Sequence, residues 1–239
     1  MANKRQAKSA HRARLEQERR ARAARRKRLI VISATVGVVA LAVVLIVVLA
    51  GSKKSTALAQ VSGGSSVDPN TLPGILAGPP PWPNDTADLA ARITADQLPP
   101  LNAAEGQALH IHQHIDIYIG GRAVQVPALI GIVTSPSVLF APIHTHDATG
   151  IIHVESPVLR DFSLGEFFGV WGVRFTSTCI GGLCNSGNER LQVFANGQVV
   201  TFDPRRLKLT EHEEIVVTFG TPDEIPRPYP INYNFPNGL

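Results

Sequence analysis

The chain has 239 residues and a net charge of +4, which leaves room for one globular domain beside an apolar segment and a linker. The charge is uneven, because residues 1–28 carry 12 of the 23 Lys and Arg side chains and a net charge of +10, whereas the remainder has a net charge of −6. An apolar segment follows the basic residues at once, so we expect them to lie at a membrane and expect no nucleic-acid partner.

Residues 29–50 form an apolar segment of 22 residues without a charged side chain. At 1.5 Å per residue, a helix of this length crosses the roughly 30 Å hydrocarbon core of a bilayer. The basic residues 25–28 adjoin it on one side, against only Lys53 and Lys54 on the other. Because Lys and Arg favour the cytoplasmic side, we predict a single-pass plasma-membrane protein with its N-terminus in the cytoplasm and its C-terminal domain outside.

Two alternatives concern this N-terminal region. A cleaved signal peptide would use the small residues around Leu58, but its apolar part is normally about 7–15 residues long, which favours a retained anchor. The basic cytoplasmic tail 1–28 could serve only to set the orientation of the membrane helix. Alternatively, it also binds anionic lipid headgroups.

Residues 51–84 are rich in Gly, Ser and Pro and predict a linker, because such a composition cannot bury a core. A His-rich extracytoplasmic domain is expected over residues 85–239. We predict that it opens with a short helix capped by Asp85 and running through Ile93.

The alternation of residues 109–119, LHIHQHIDIYI, predicts a β-strand. The Gly-Gly pair that follows predicts a tight hairpin to a return strand over residues 122–127. A second hairpin is predicted over residues 142–156, with its turn at 147–150.

Ser163 begins a predicted short helix, LGEFFGVWG, and Glu166 is placed to complete a capping box. Asn196-Gly197 predicts another hairpin, and residues 215–219 the last strand. This order predicts an α+β domain with a small, mostly antiparallel sheet that one short helix covers, and it is compatible with a β-grasp-like sheet. The Pro-rich last 18 residues predict an extended tail on the domain, or alternatively a partner-binding segment.

Six of the eight histidines lie between residues 110 and 153, and they are the candidate metal ligands: His110, His112, His114, His144, His146 and His153. Successive side chains of a strand point to opposite faces. The first three histidines therefore share one face of their strand, and the isoleucines that alternate with them form the face that meets the core.

In the second hairpin, the predicted turn places His144 directly opposite His153, with Cβ atoms about 4.5–5.5 Å apart. Two imidazoles at that separation can share one ion, with nitrogens at about 2.0–2.1 Å from it. His146 is a third ligand candidate, and Asp147 and Glu155 are second-rank ligands or hydrogen-bond partners of the ligands. If the hairpin folds over the first strand, the two sets of histidines face each other and form one site of three or four imidazoles or two neighbouring sites.

Imidazole ligands suit zinc, copper, nickel or iron. The only methionine is Met1, on the predicted cytoplasmic side, which argues against a thioether site for Cu(I) and favours zinc or Cu(II). The alternatives are a polar strand face without an ion and a pH-sensing cluster, because histidine titrates near pH 6.5.

Cys179 and Cys184 are the only cysteines, and they flank a short flexible loop. Disulfides persist outside the membrane, so we predict a structural disulfide that contributes roughly 2 kcal/mol by constraining the unfolded chain. A free thiol pair that joins the metal site is the alternative.

No nucleophile elbow, Walker loop or dinucleotide-binding fingerprint occurs in the sequence. His144-Thr145-His146-Asp147 is similar to the start of metallo-hydrolase motifs, but Thr149 stands near where metallo-β-lactamases have a further histidine. The residues therefore favour a binding domain over an enzyme, and they identify no catalytic residue.

The segments HIHQHIDIYIGGRAVQVPALIGI, PIHTHDATGIIHVESP and SLGEFFGVWGV resemble a group of uncharacterised membrane-anchored proteins of actinobacteria and related bacteria. The resemblance covers roughly residues 98–220 and implies a bacterial cell-envelope setting without a mechanism. We therefore expect a membrane-anchored extracytoplasmic domain that binds zinc or copper. The alternatives are an envelope scaffold or interaction module with an envelope protein as its partner, and a small metal-dependent hydrolase or oxidoreductase.

Overall fold

The computed structural model describes residues 67–239, which build a mixed β-sheet with helices packed against its core. The predicted cytoplasmic tail, the predicted membrane helix and the first half of the predicted linker lie outside these residues. Within the described range, no helix has the length and apolar character that crossing a bilayer requires.

Two α-helices and eleven strands are described. Helix α1 spans Leu89–Ala95 and helix α2 spans Leu164–Trp171. The strands are β1 (Leu109–Ile119), β2 (Arg122–Val124), β3 (Ile132–Val133), β4 (Leu139–Phe140), β5 (Ile143–His144), β6 (Ile151–Ser156), β7 (Cys179–Ile180), β8 (Leu183–Cys184), β9 (Arg190–Ala195), β10 (Gln198–Val199) and β11 (Glu213–Gly220).

Strand β1 is the centre of the main sheet, whose order is β10-β9-β11-β1-β6-β5. One edge of β1 pairs in parallel with β11. The other edge pairs antiparallel with β6 along its first half and with β2 along its second half. All other pairs in the sheet are antiparallel, so the sheet is mixed but mostly antiparallel, and β3–β4 and β7–β8 form two small separate sheets.

The predicted hairpins and the predicted cap are confirmed. Gly120 and Gly121 both have positive φ, as does the Asn196-Gly197 pair, which is the backbone that two-residue hairpin turns require. At the start of α2, the Ser163 side chain accepts from the backbone N–H of Glu166, and the Glu166 carboxylate accepts from the backbone N–H of Ser163. This capping box satisfies backbone donors at the buried helix start.

The core lies between α2 and one face of the sheet. Ile115 and Ile117 of β1 point into it, as their alternation with the histidines predicts. They pack with apolar residues of β6, β9 and β11 and with the aromatic side of α2, where Phe168 stacks on Trp171. Burying one face in this way leaves the opposite face of β1 and β6 for the polar side chains.

The start of the domain differs from the predictions. Helix α1 begins at Leu89 with Asp88 at its N-cap, because the Asp85 carboxylate instead accepts from the backbone N–H of Ala87 in the preceding turn. The second half of the predicted linker also belongs to the domain, since Leu72 and Trp82 are buried and Trp82 packs edge-on against a helix tryptophan. The high Gly, Ser and Pro content of this segment led to the linker prediction, although these two apolar side chains anchor it to the core.

The C-terminal segment packs against the domain as an extended tail, as predicted. Its aromatic side chains lie on the sheet side that faces away from the core: Tyr229 on Phe194 and Tyr233 on His114, with ring centroids 4.4 and 3.8 Å apart. The tail therefore covers the end of this face that lies beside β11.

Gln113 and Glu213 are an exception to the apolar core face. They occupy paired positions of β1 and β11 and are both buried. Burial raises the pKa of Glu213 to about 7, against hydrogen bonds with Thr210 that lower it. A carboxyl with a raised pKa destabilises the fold once it ionises.

Replacing this carboxyl by a neutral amide tests how much its ionisation destabilises the fold. Glu213→Gln is expected to raise the free energy of unfolding at pH 8 by roughly 3 kcal/mol, because burial raises the native pKa of this carboxyl to about 7. Most of the gain should vanish at pH 5, where the wild-type carboxyl is protonated in the native state. Urea unfolding at the two pH values measures the difference, with exposed Glu189→Gln as the control. An equal effect at both pH values would contradict the burial argument.

Candidate metal centre

Strand β1 presents three histidines on the face opposite the core. His110, His112 and His114 alternate with Ile111, Gln113 and Ile115 in the strand. His112 and His114 are buried, whereas the side chain of His110 is 44% exposed. The predicted sharing of a face is confirmed, and it is dictated by the two-residue period of the strand.

The β5–β6 hairpin presents the second set of histidines. His144 pairs with His153 across the ladder, as predicted, and the two rings stack with centroids 5.5 Å apart. His146 lies beyond the end of β5, so ladder pairing does not fix its position. Its ring still turns back to the hairpin, and its Nε2 lies 3.2 Å from Nε2 of His144.

Pairing of β1 with β6 brings the two sets together. His112 is opposite His153, and His110 is opposite Glu155. The rings of His112 and His153 meet edge to face at 4.7 Å, and those of His146 and His153 at 4.4 Å. The juxtaposition left open by the sequence is therefore present, and five of the six histidines form one continuous cluster.

Glu155 occupies the middle of this cluster. Its Oε1 lies 3.1 Å from Nδ1 of His153 and 3.3 Å from Nε2 of His110. Its Oε2 is buried and accepts no hydrogen bond. Burial raises the pKa of Glu155, but the His153 hydrogen bond and the surrounding imidazoles outweigh it and bring the pKa to about 2. The group is therefore a carboxylate at neutral pH.

Glu105 is a member of the cluster that the sequence did not indicate. Its Oε1 lies 3.3 Å from Nε2 of His146 and 4.0 Å from Nε2 of His144. It precedes β1 in a loop without periodicity, so no pattern marked it. The loop is docked by Gly106, whose N–H donates to the Glu155 carbonyl and whose missing side chain leaves room for the backbone at Ser156.

Burial keeps the rings of His112 and His144 neutral. Burial, helped by the neighbouring imidazoles of His153 and His110, lowers the pKa of His112 to about 4. Burial likewise lowers the pKa of His144 to about 4. Burial and the nearby Glu155 carboxylate raise the pKa of Glu105. Neutral imidazole is the form that binds metal ions.

His114 lies apart from the five clustered histidines. Its Nδ1 is 2.9 Å from a carboxylate oxygen of Glu214, and its Nε2 is 2.9 Å from the Thr149 carbonyl oxygen. The Thr149 carbonyl can only accept, so Nε2 carries a proton, and Nδ1 is hydrogen-bonded to the Glu214 carboxyl, whose own pKa burial raises. Burial lowers the pKa of His114, but the Glu214 and Thr149 hydrogen bonds outweigh it and the pKa is raised. Sequence reasoning missed Glu214 because β11 is far away along the chain.

Asp147 stabilises the turn between β5 and β6. Its carboxylate accepts from the backbone N–H and the hydroxyl of Thr149, and these hydrogen bonds lower its pKa. It lies in none of the groups of side chains that are close enough to hold an ion. The structure therefore gives it a local role between β5 and β6.

Three groups of described side chains are close enough to hold a metal ion. They are His144 with His146, His153 and Glu155; His110 with His112 and Glu155; and His114 with Asp116 and Glu214. Two nitrogens bound to one tetrahedral ion at about 2.0–2.1 Å lie roughly 3.3 Å apart. The 3.2 Å separations of His110 from His112 and of His144 from His146 match this value, although an N–H···N hydrogen bond also spans it.

The cysteines take no part in the cluster. Cys179 and Cys184 are paired positions of β7 and β8 and form the predicted disulfide. Because both thiols are consumed, the available ligands of the cluster are imidazole nitrogens and carboxylate oxygens.

No family model, no curated protein and no solved structure matches the chain. The resemblance to membrane-anchored actinobacterial proteins therefore stays a prediction, and a function has to be argued from the geometry of the cluster.

The effect of Glu214 on the protonation of His114 can be tested directly. Glu214→Gln removes the carboxylate that favours the protonated ring, so the pKa of His114 is expected to fall. Titration of the His114 ring signals by NMR in the two proteins measures the change. Asp116→Asn is the matched control, because the more weakly acting Asp116 should change the pKa less. An unchanged His114 pKa in Glu214→Gln would contradict the ion pair.

Proposed function

We propose that this protein is a membrane-anchored, extracytoplasmic metal-binding protein of the cell envelope. The observation that carries the proposal is the convergence of five imidazoles and two carboxylates on one sheet face, at separations suited to coordination. Five histidines from three strands and a turn meet there only because of the sheet pairing. A polar face that merely contacts water needs no such convergence.

The charge of the cluster supports a bound cation. The nearby Glu155 carboxylate raises the pKa of Glu105, and burial holds His112 and His144 neutral. Buried carboxylates are stabilised by a positive partner or by hydrogen-bond donors. Oε2 of Glu155 is buried and accepts no hydrogen bond, and a divalent ion would supply positive charge there.

Zinc or Cu(II) suits the ligands best. Imidazole with carboxylate is a ligand set that both ions accept, and the cluster offers neither a thiolate nor a thioether. The side chains of His110 and His146 are 44% and 40% exposed, so an ion can enter from the solvent side. Ion capture, buffering or delivery fits such a site.

The location of the domain is part of the proposal. Residues 29–50 have the length and composition of a membrane span, and the disulfide fits an oxidising compartment. We place the domain outside the plasma membrane, the basic tail against anionic lipid headgroups, and an envelope protein as a candidate partner. The parallel β1–β11 centre, flanked by antiparallel β6 and β9 with α2 against the core face, supports a β-grasp-like topology.

Metal content tests the binding function. The full chain, produced in a bacterial envelope and purified in detergent, is expected to contain or take up zinc or copper when elemental analysis is performed. Combined His144→Ala and His153→Ala should lower the content, because both rings belong to the hairpin. His212→Ala, outside the cluster, is the control. A wild-type chain that neither retains nor takes up either ion would overturn the proposal and leave an envelope scaffold.

Protease protection tests the location. In intact spheroplasts, added protease should remove a tag at the C-terminus and spare a tag at the N-terminus until detergent is added. Loss of the N-terminal tag from the mature protein would instead indicate a cleaved signal peptide. Protection of the C-terminal tag would place the domain in the cytoplasm and contradict the proposed orientation.

A further inference from the structure

The cluster contains the same arrangement twice. In the first trio, Nε2 of His144 and of His146 are 3.2 Å apart, and Oε1 of Glu105 is 3.3 Å from the more exposed ring, that of His146. This trio has its histidines two residues apart in sequence, and its carboxylate reaches in from a separate loop.

The second trio has equal spacing. Nε2 of His110 and of His112 are also 3.2 Å apart, and Oε1 of Glu155 is 3.3 Å from the more exposed ring, that of His110. Each trio therefore supplies two nitrogens and one oxygen from a His-x-His pair and a glutamate. Three protein ligands with a position left for solvent is the usual arrangement of an accessible zinc site.

The number of donors exceeds what one ion uses. Five imidazoles and two carboxylates offer seven protein side chains, whereas zinc takes about four ligands. A single ion would leave at least one trio with its nitrogens facing each other and its carboxylate without a cation.

The strand order places a shared ligand between the trios. Strand β6 lies between β1, which carries one His-x-His pair, and β5, which begins the other. Glu155 of β6 belongs to a possible ion-binding group with each pair. Its Oε1 faces His110, while its buried Oε2 accepts no hydrogen bond.

We propose that the cluster is a binuclear centre for two divalent zinc or Cu(II) ions. His110 and His112 hold one ion, His144 and His146 with Glu105 hold the other, and Glu155 bridges them with one oxygen on each. His153 is hydrogen-bonded through Nδ1 to Glu155 and orients the bridging carboxylate. This inference rests on the proposed metal-binding function and specifies its stoichiometry.

Zinc titration of the full chain in detergent, stripped of metal by a chelator, measures the stoichiometry. Calorimetry and elemental analysis after desalting should give two zinc ions per chain. Combined His110→Ala and His112→Ala should leave one, and so should combined His144→Ala and His146→Ala. His114→Gln on the same strand is the matched control and should retain two.

The outcomes separate this inference from the function on which it rests. No bound zinc or copper would overturn both. One zinc ion per wild-type chain would overturn the binuclear centre and leave metal binding intact. Two ions that persist in the His110 and His112 variant would also overturn it, because the second ion would then lie elsewhere.

A measurement on the wild-type chain avoids any variant that fails to fold. Cu(II) is added in one and then two equivalents, and electron paramagnetic resonance is recorded after each addition. The second equivalent should broaden the signal and lower its intensity per copper, because adjacent bridged ions couple magnetically. A signal that doubles without broadening would show two separated ions and overturn the bridge.

Discussion

The antiparallel register of β1 and β6 is the constraint on which the rest of the centre depends. It sets His112 opposite His153 and His110 opposite Glu155. A shift of one residue would turn His153 and Glu155 toward the core and Ile152 and Val154 toward the solvent face. The two isoleucine-rich core faces therefore fix the register, and through it they fix which polar side chains meet. Assembly of the site is thus a consequence of burying the opposite face of the same strands.

Strand β11 and the C-terminal tail cover the end of this polar face that carries His114. The β1–β11 pairing places Glu214 beside His114, and the C-terminal tail lays Tyr233 on that ring. The resulting ion pair is hydrogen-bonded on both ring nitrogens and is separated from the five clustered histidines. One strand therefore supplies both a structural histidine paired with a carboxyl group and two ligand candidates, and the neighbouring strands decide which role each has.

Periodicity and turn chemistry were sufficient to predict much of the fold. The long alternation of residues 109–119, the glycine turns and the Ser163 capping box are local signals, and each element formed where its signal lay. The pairing of His144 with His153 followed from turn position alone. The contributions of Glu105 and Glu214 were not predictable in this way, because the first comes from an irregular loop and the second from a strand 100 residues away from His114. The composition of residues 67–84 also gave a wrong prediction of a linker, because a few buried apolar side chains fix this segment to the domain.

Anomalous X-ray diffraction at the zinc edge, on crystals grown with zinc, tests the central claim most directly. The account predicts anomalous density on the sheet face opposite α2, with peaks beside the His110–His112 pair and beside the His144–His146 pair. Zinc density confined to other surfaces, with the five imidazoles hydrogen-bonded only to one another and to solvent, would contradict it.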